Sequence, residues 1–109
     1  MKPKLRVWLV FLDQVKIGAG MADLLQAIED RGSIRAAASL FGMSYRHAWG
    51  YLRELEAAAG FHFIERQRGG GGTGGAHLTP HGKAFLVQYR EFNRRLEAAA
   101  EREFKRIFR

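Results

Sequence analysis

The spacing of apolar residues changes along the chain, and each change predicts a new element. Leu5-Arg6-Val7-Trp8-Leu9-Val10-Phe11-Leu12 is dense in β-branched and aromatic residues and ends at polar Asp13-Gln14, the pattern of a strand with one fully buried stretch. Gly18 and Gly20 break that run. From Met21 the apolar positions Met21, Leu24, Leu25 and Ile28 fall at i, i+3, i+4 and i+7, which predicts a helix over about 21–31 with Gly32 as its left-handed cap.

Ser33 is placed to cap a short second helix over about 34–41, in which Ile34, Ala37, Ala38 and Phe41 repeat the same spacing up to Gly42. After a link of about three residues, Ser44 caps a third helix whose stripe is Ala48, Leu52 and Leu55, bordered by Tyr45 and Trp49 and ended by Gly60. Phe61, Phe63 and Ile64 predict a strand over about 61–67, and Ala76-His77-Leu78 is short enough to be its returning partner. Between them, Arg68 leads into a glycine tract at 69–75 interrupted only by Thr73, which is neither helix nor packed strand because glycine contributes no side chain to a core.

Thr79-Pro80 then opens a fourth helix, a capping residue followed by proline at the first helical position. Its stripe, Phe85, Tyr89, Phe92, Leu96, Ala100, Phe104 and Ile107, runs over about 27 residues, or roughly 40 Å. A compact domain of this size has a radius of gyration of only about 13 Å, so such a helix projects and its apolar end needs a partner. The simplest partner is the same helix of a second copy, with Phe85, Tyr89, Phe92, Leu96, Ala100 and Phe104 as the dimerisation residues.

This order of elements is that of a mainly α fold with a small β-sheet: a winged helix-turn-helix with a long C-terminal dimerisation helix. Residues 1–79 form the DNA-binding part, with its wing at 61–79, and residues 80–109 the dimerisation helix of the same domain. Gly-Ser-Ile-Arg-Ala-Ala-Ala at 32–38, Gly-Met-Ser-Tyr-Arg-His-Ala-Trp at 42–49, Glu65-Arg66 before the glycine-rich wing and Leu78-Thr79-Pro80-His81-Gly82 carry a resemblance. In these blocks the chain resembles the N-terminal DNA-binding domain of ModE-type molybdate-responsive transcriptional regulators and, more distantly, LysR-type regulators. The resemblance implies sequence-specific DNA binding by a homodimer. ModE-type regulators continue into oxyanion-binding modules; at 109 residues no sensor domain is expected here, which leaves a separate ligand-sensing subunit as a candidate partner.

Charge refines this picture. The formal net charge is +7, and it is uneven: residues 1–60 carry 8 basic and 6 acidic side chains, residues 61–109 carry 10 and 5. A basic excess points toward polyanions only where the side chains are suitably placed. On the third helix, the face opposite the stripe holds Ser44, Arg46, His47, Gly50, Arg53 and Glu54. In a major groove Arg46 would bridge guanine O6 and N7, His47 would meet a purine N7, and Gly50 would let the backbone approach. Tyr45 would touch a phosphate or a thymine methyl, whereas Trp49 belongs to core packing at the helix crossing. Ser33 and Arg35 begin the second helix, where free N–H groups and the positive dipole end favour a phosphate; Ser33 serves equally as a plain cap. Arg66 and Arg68 at the wing base would neutralise further phosphates.

Other chemistries find little support. With no cysteine there is no disulfide, thiolate metal site or thiol catalysis. Gly70, Gly72 and Gly75 satisfy a dinucleotide-binding pattern formally, yet no βαβ unit follows, and Gly82-Lys83 lacks the rest of a phosphate-binding loop. His62, His77 and His81 share no regular helix face, and no acid/base pair is suitably spaced, so neither a metal, a cofactor nor an enzymatic activity is expected. The longest apolar run, Val7 to Leu12, is far below the roughly 20 residues of a membrane span, and a cytoplasmic protein is expected. Two rivals keep the fold and change the role: a protein-interaction module working through the long helix, and a sequence-independent architectural DNA-binding module.

Overall fold

In a computed structural model, which describes residues 1–67 and 75–109, the first departure from the sequence pattern comes at the N-terminus. The stretch expected as one strand over 5–12 is a hairpin: β1 (Leu9–Phe11) pairs antiparallel with β2 (Val15–Ile17), Leu9 opposite Ile17. Leu12 and Asp13 turn the chain with φ of 51° and 56°, and Gln14 N donates to Phe11 O at 3.0 Å. Two successive positive φ values match the right-handed twist of the flanking strands, but the usual asparagine or glycine signal is missing here. The expected full burial is also corrected. Trp8 is 53 % and Val10 50 % exposed, because a two-stranded ribbon lies on the helices with one face only.

Helix α1 (Ala19–Arg31) starts two residues before the expected Met21, as Gly18 already has the extended backbone of a cap. Its buried face, Met21, Leu24, Leu25 and Ile28 with Ala22, packs on α2 (Ile34–Leu40), which in turn packs on α3 (Tyr45–Ala59). Ala37 and Ala38 are 0 % and 1 % exposed, small side chains where helices approach closely. Between α2 and α3, Gly42 takes φ of 66°, which a β-carbon would disfavour, and Met43 N reaches back to Ala38 O at 3.0 Å. The hydroxyl oxygens of Ser33 and Ser44 accept from Ala36 N and His47 N at 3.1 and 3.0 Å, as the capping pattern predicts.

Strands β3 (Ile64–Gln67) and β4 (Gly75–Leu78) form the antiparallel wing, with Ile64 opposite Leu78 and Gln67 opposite Gly75. Ala76 N donates to Gly32 O at 2.9 Å, tying the wing to the end of α1. Residues 68–74, which include Arg68, lie outside the described residues.

Helix α4 (Pro80–Ile107) has 28 residues. It gives the described residues extents of 61 × 27 × 23 Å and a radius of gyration of 16.4 Å, above the roughly 13 Å of a compact chain of this length, as a projecting helix requires. Its start is fixed tightly: Thr79 Oγ1 donates to His62 O at 2.6 Å and accepts from Gly82 N at 2.9 Å. A β-carbon on Gly82 would stand 2.6 Å from Phe63 O, so only glycine lets α4 begin against β3. Phe63 is fully buried there, packed edge-on to Phe85 with ring centroids 5.4 Å apart.

Candidate nucleic-acid interface

Helix α3 buries Ala48, Leu52 and Leu55 completely, and the same helical period turns Arg46, His47, Gly50 and Arg53 to solvent. Arg46, Gly50 and Arg53 follow one another at spacings of four and three, so they share one side of the helix, with exposed Glu54 beside them. Nothing lies within 4 Å of where a Gly50 β-carbon would be, so the backbone there is open to close approach. Neither Arg46 nor Arg53 makes an ion pair among the described residues.

Beside this face the fold assembles a cluster that the sequence did not reveal. The guanidinium of Arg35, from the first turn of α2, lies 4.6 Å from the centre of the Tyr45 ring. That of Arg66, on β3, lies 4.6 Å from the centre of the Trp49 ring and donates from Nη2 to the Tyr45 hydroxyl. A cation over an aromatic face is attracted by the ring quadrupole. Tyr45, expected to point at DNA, is therefore already engaged inside the protein. Trp49, expected as core packing, is partly buried against the core and also carries a cation. Ser33 uses its hydroxyl as the cap of α2.

The wing is held to α3 by a residue that sequence reasoning missed. Glu56 Oε2 accepts from Phe63 N at 2.7 Å and Ile64 N at 3.0 Å, and its Oε1 lies 3.4 Å from His62 Nδ1. The one available signal was position: a carboxylate in the last turn of a helix opposes the dipole and calls for a compensating donor. Glu29 acts similarly toward β4 and α4, with its carboxylate 3.6 Å from His77 Nδ1 and 3.2 Å from Lys83 Nζ. The third wing-side histidine, His81, stacks on Phe61 at 3.6 Å between centroids. Among the described residues no group of histidines and carboxylates is arranged to hold a metal ion.

The apolar stripe of α4 divides in two, which corrects its reading as one continuous dimerisation surface. Phe85 packs with Phe11, Phe61 and Phe63, and Tyr89 is 3 % exposed with its hydroxyl donating to Val7 O at 2.9 Å. Burial, then the nearby charge of Asp23, raise the Tyr89 phenol above its usual range. Tyr89 is thus used up within the chain, and Phe85, partly buried, is spent mostly on it. Farther along, Phe92 is 45 % and Ile107 70 % exposed, Leu96, Ala100 and Phe104 are half-buried, and Phe104 stacks on Phe108.

Residues 21–83, from α1 through the start of α4, match the family of bacterial regulatory helix-turn-helix proteins of the lysR type. The chain belongs to the LysR family of helix-turn-helix proteins. Its fold is similar to that of a solved CbnR DBD-DNA complex, with a TM-score of 0.57 and 26 % identity over 75 % of this chain and 88 % of that one. In sequence it is similar to the molybdenum transport protein ModE of Herbaspirillum seropedicae, 43 % identical over 72 residues, which are 66 % of this chain and 27 % of that protein. It is also similar to the ModE of Azotobacter vinelandii, 32 % identical over 84 % of this chain and 35 % of that one. The transcriptional regulator ModE of Yersinia pestis is 39 % identical over 61 % of this chain and 25 % of its own length. This LysR-family chain thus spans about a quarter to a third of the relatives it matches. Among the described residues no helix is long and apolar enough to cross a membrane.

Proposed function

We propose that the chain is a cytoplasmic, non-enzymatic transcription regulator that binds duplex DNA as a homodimer. In this reading residues 1–79 meet DNA and residues 80–109 pair the two copies. Helix α3 reads the major groove through Arg46, His47, Gly50 and Arg53, while Ser33, Arg35, Ser44, Arg66 and Arg68 lie along the phosphate backbone, with Tyr45 behind Arg35 and Arg66. The observation that carries the reading is the unpaired arginine face of α3 in a LysR-family helix-turn-helix. Its support from outside the chain is the likeness to a protein solved on DNA. Two copies joined through the distal half of α4, at Phe92, Leu96, Ala100 and Phe104, would set two α3 helices on half-sites about 34 Å apart or a multiple of it. Relatives named for molybdenum transport make promoters of molybdenum-handling genes the first DNA to test, with a separate ligand-sensing subunit as a candidate partner.

Fluorescence anisotropy against such promoter fragments over a range of salt tests the DNA reading. Binding is expected to weaken steeply with salt, and equal affinity for unrelated duplexes would favour an architectural role instead. Sedimentation velocity tests the dimer, and Phe104→Ala is expected to weaken self-association about tenfold while leaving the folded monomer intact, given about 1.5–3 kcal/mol for full burial of such a side chain. The exposed end of α4 also favours a second reading, a protein-interaction module. Arg46→Ala would then be silent and Phe104→Ala would abolish partner binding.

A further inference from the structure

Resting on the DNA-binding reading, we infer that Trp49 and Tyr45 are positioning residues that aim Arg66, so that the wing and the recognition helix meet the phosphate backbone as one preset unit. Arg66 comes from β3, Arg35 from α2, and Tyr45 and Trp49 from α3; the four side chains join three elements. The Arg66 guanidinium is fixed in two ways, by the Trp49 face at 4.6 Å and by the Tyr45 hydroxyl. Arg35 lies on the same phenol ring at 4.6 Å, and Arg66 is 6.0 Å from that ring's centre.

Among the described residues neither arginine makes an ion pair, so two positive charges are gathered round one phenol without a counter-charge. Like charges held round one ring repel, and a ligand carrying spaced negative charges relieves the repulsion. The phosphodiester backbone is such a ligand. An arginine free in solvent loses rotamer freedom when it grips a phosphate; one already stacked and hydrogen-bonded loses less, which is the gain from preorganisation. Trp49 is placed to act through Arg66 rather than through any contact of its own.

A double-mutant cycle separates this role from plain packing. The probe is a fluorescein-labelled duplex selected from a random pool by the full wild-type chain, with Kd measured by anisotropy at several salt concentrations. Arg66→Ala is expected to weaken binding about tenfold and to reduce the salt slope by about one. Trp49→Leu should weaken it about threefold to tenfold with the slope unchanged, and Trp49→Phe, which keeps a ring beneath the cation, less than threefold. In the Arg66→Ala background, Trp49→Leu should add less than about twofold.

Tyr45→Phe, which removes only a hydroxyl, repeats the test without risk to folding: a loss of about threefold is expected that vanishes in the Arg66→Ala background. A loss from Trp49→Leu or Tyr45→Phe that persists in full without Arg66, or silence of both variants where Arg66→Ala is damaging, overturns the inference and leaves DNA binding standing. Failure of the wild-type chain to select any duplex overturns the DNA reading itself.

Discussion

Three arginines of α4 and four around α3 occupy opposite electrostatic situations. On α4, Arg94 and Arg95 both hold Glu91, at 2.6 and 2.9 Å, Arg106 holds Glu103 at 3.1 Å, and Lys105 lies 3.6 Å from Glu101. These pairs at spacings of three and four give four exposed cations of a solvated strut a carboxylate on the spot, Arg94 and Arg95 sharing one. Arg35, Arg46, Arg53 and Arg66 make no such pair among the described residues, and two of them rest on aromatic rings instead. The net charge of +7 is therefore a poor guide to function. What matters is where an unpaired cation stands: Arg35, Arg46, Arg53 and Arg66 come together where a recognition helix and a wing base adjoin, whereas Arg90 and Arg102, which also make no ion pair among the described residues, stand apart on α4.

The contrast can be broken from below by undermining the scaffold of one side. Leu52→Ala empties a fully buried site beneath the α3 face and should cost about 2–5 kcal/mol in urea unfolding, independent of protein concentration. Next in size, Glu56→Ala strands the N–H groups of Phe63 and Ile64 and should cost about 1–3 kcal/mol. Hydrogen exchange at those two amides should rise well before α4 is affected.

The comparison is sharpened by removing one cation from each side. Arg46→Ala should cost about 1–3 kcal/mol of DNA affinity and lower the salt slope by about one, whereas Arg94→Ala should change neither, because its charge already has a partner in Glu91. Equal losses from the two variants would collapse the distinction.

The smallest effect belongs to pH. Hydrogen bonds from Arg94 and then Arg95 hold the Glu91 carboxyl at about 2 instead of its usual 4.5. Because the folded form resists protonation more than the unfolded one, the contribution is complete above the unfolded value and fades as pH falls from 4.5 toward 2. The trio is exposed and screened by solvent, so the melting temperatures of the wild type and Glu91→Gln should differ slightly at neutral pH and converge near pH 2.

Much of the scaffold was legible from residue spacing. The buried faces of α1 and α3, that of α2 except for Phe41, which lies beyond the helix and is exposed, the capping serines, Thr79 with Pro80 and the projecting α4 all follow from patterns that act within one or two turns of chain. The N-terminal hairpin was not, since its turn uses Leu12 and Asp13 where glycine or asparagine would have announced it. Exposure of Arg46 and Arg53 could be foreseen from the helical period; the capture of Arg66 by residues 17 and 21 positions earlier could not, because no local pattern encodes an encounter between a strand and a helix face.

By itself the sequence determined the helices, their caps and the face of α3 that meets solvent, because helical period and capping are short-range consequences of residue type. Only the tertiary structure decided that Tyr45 and Trp49 hold an arginine, that Glu56 fastens the wing, and that Phe85 and Tyr89 belong to the core while the stripe beyond them stays open. Those outcomes depend on which surfaces are brought together when the elements pack, and a side chain has the same spacing in the sequence whether the surface opposite it is protein or solvent.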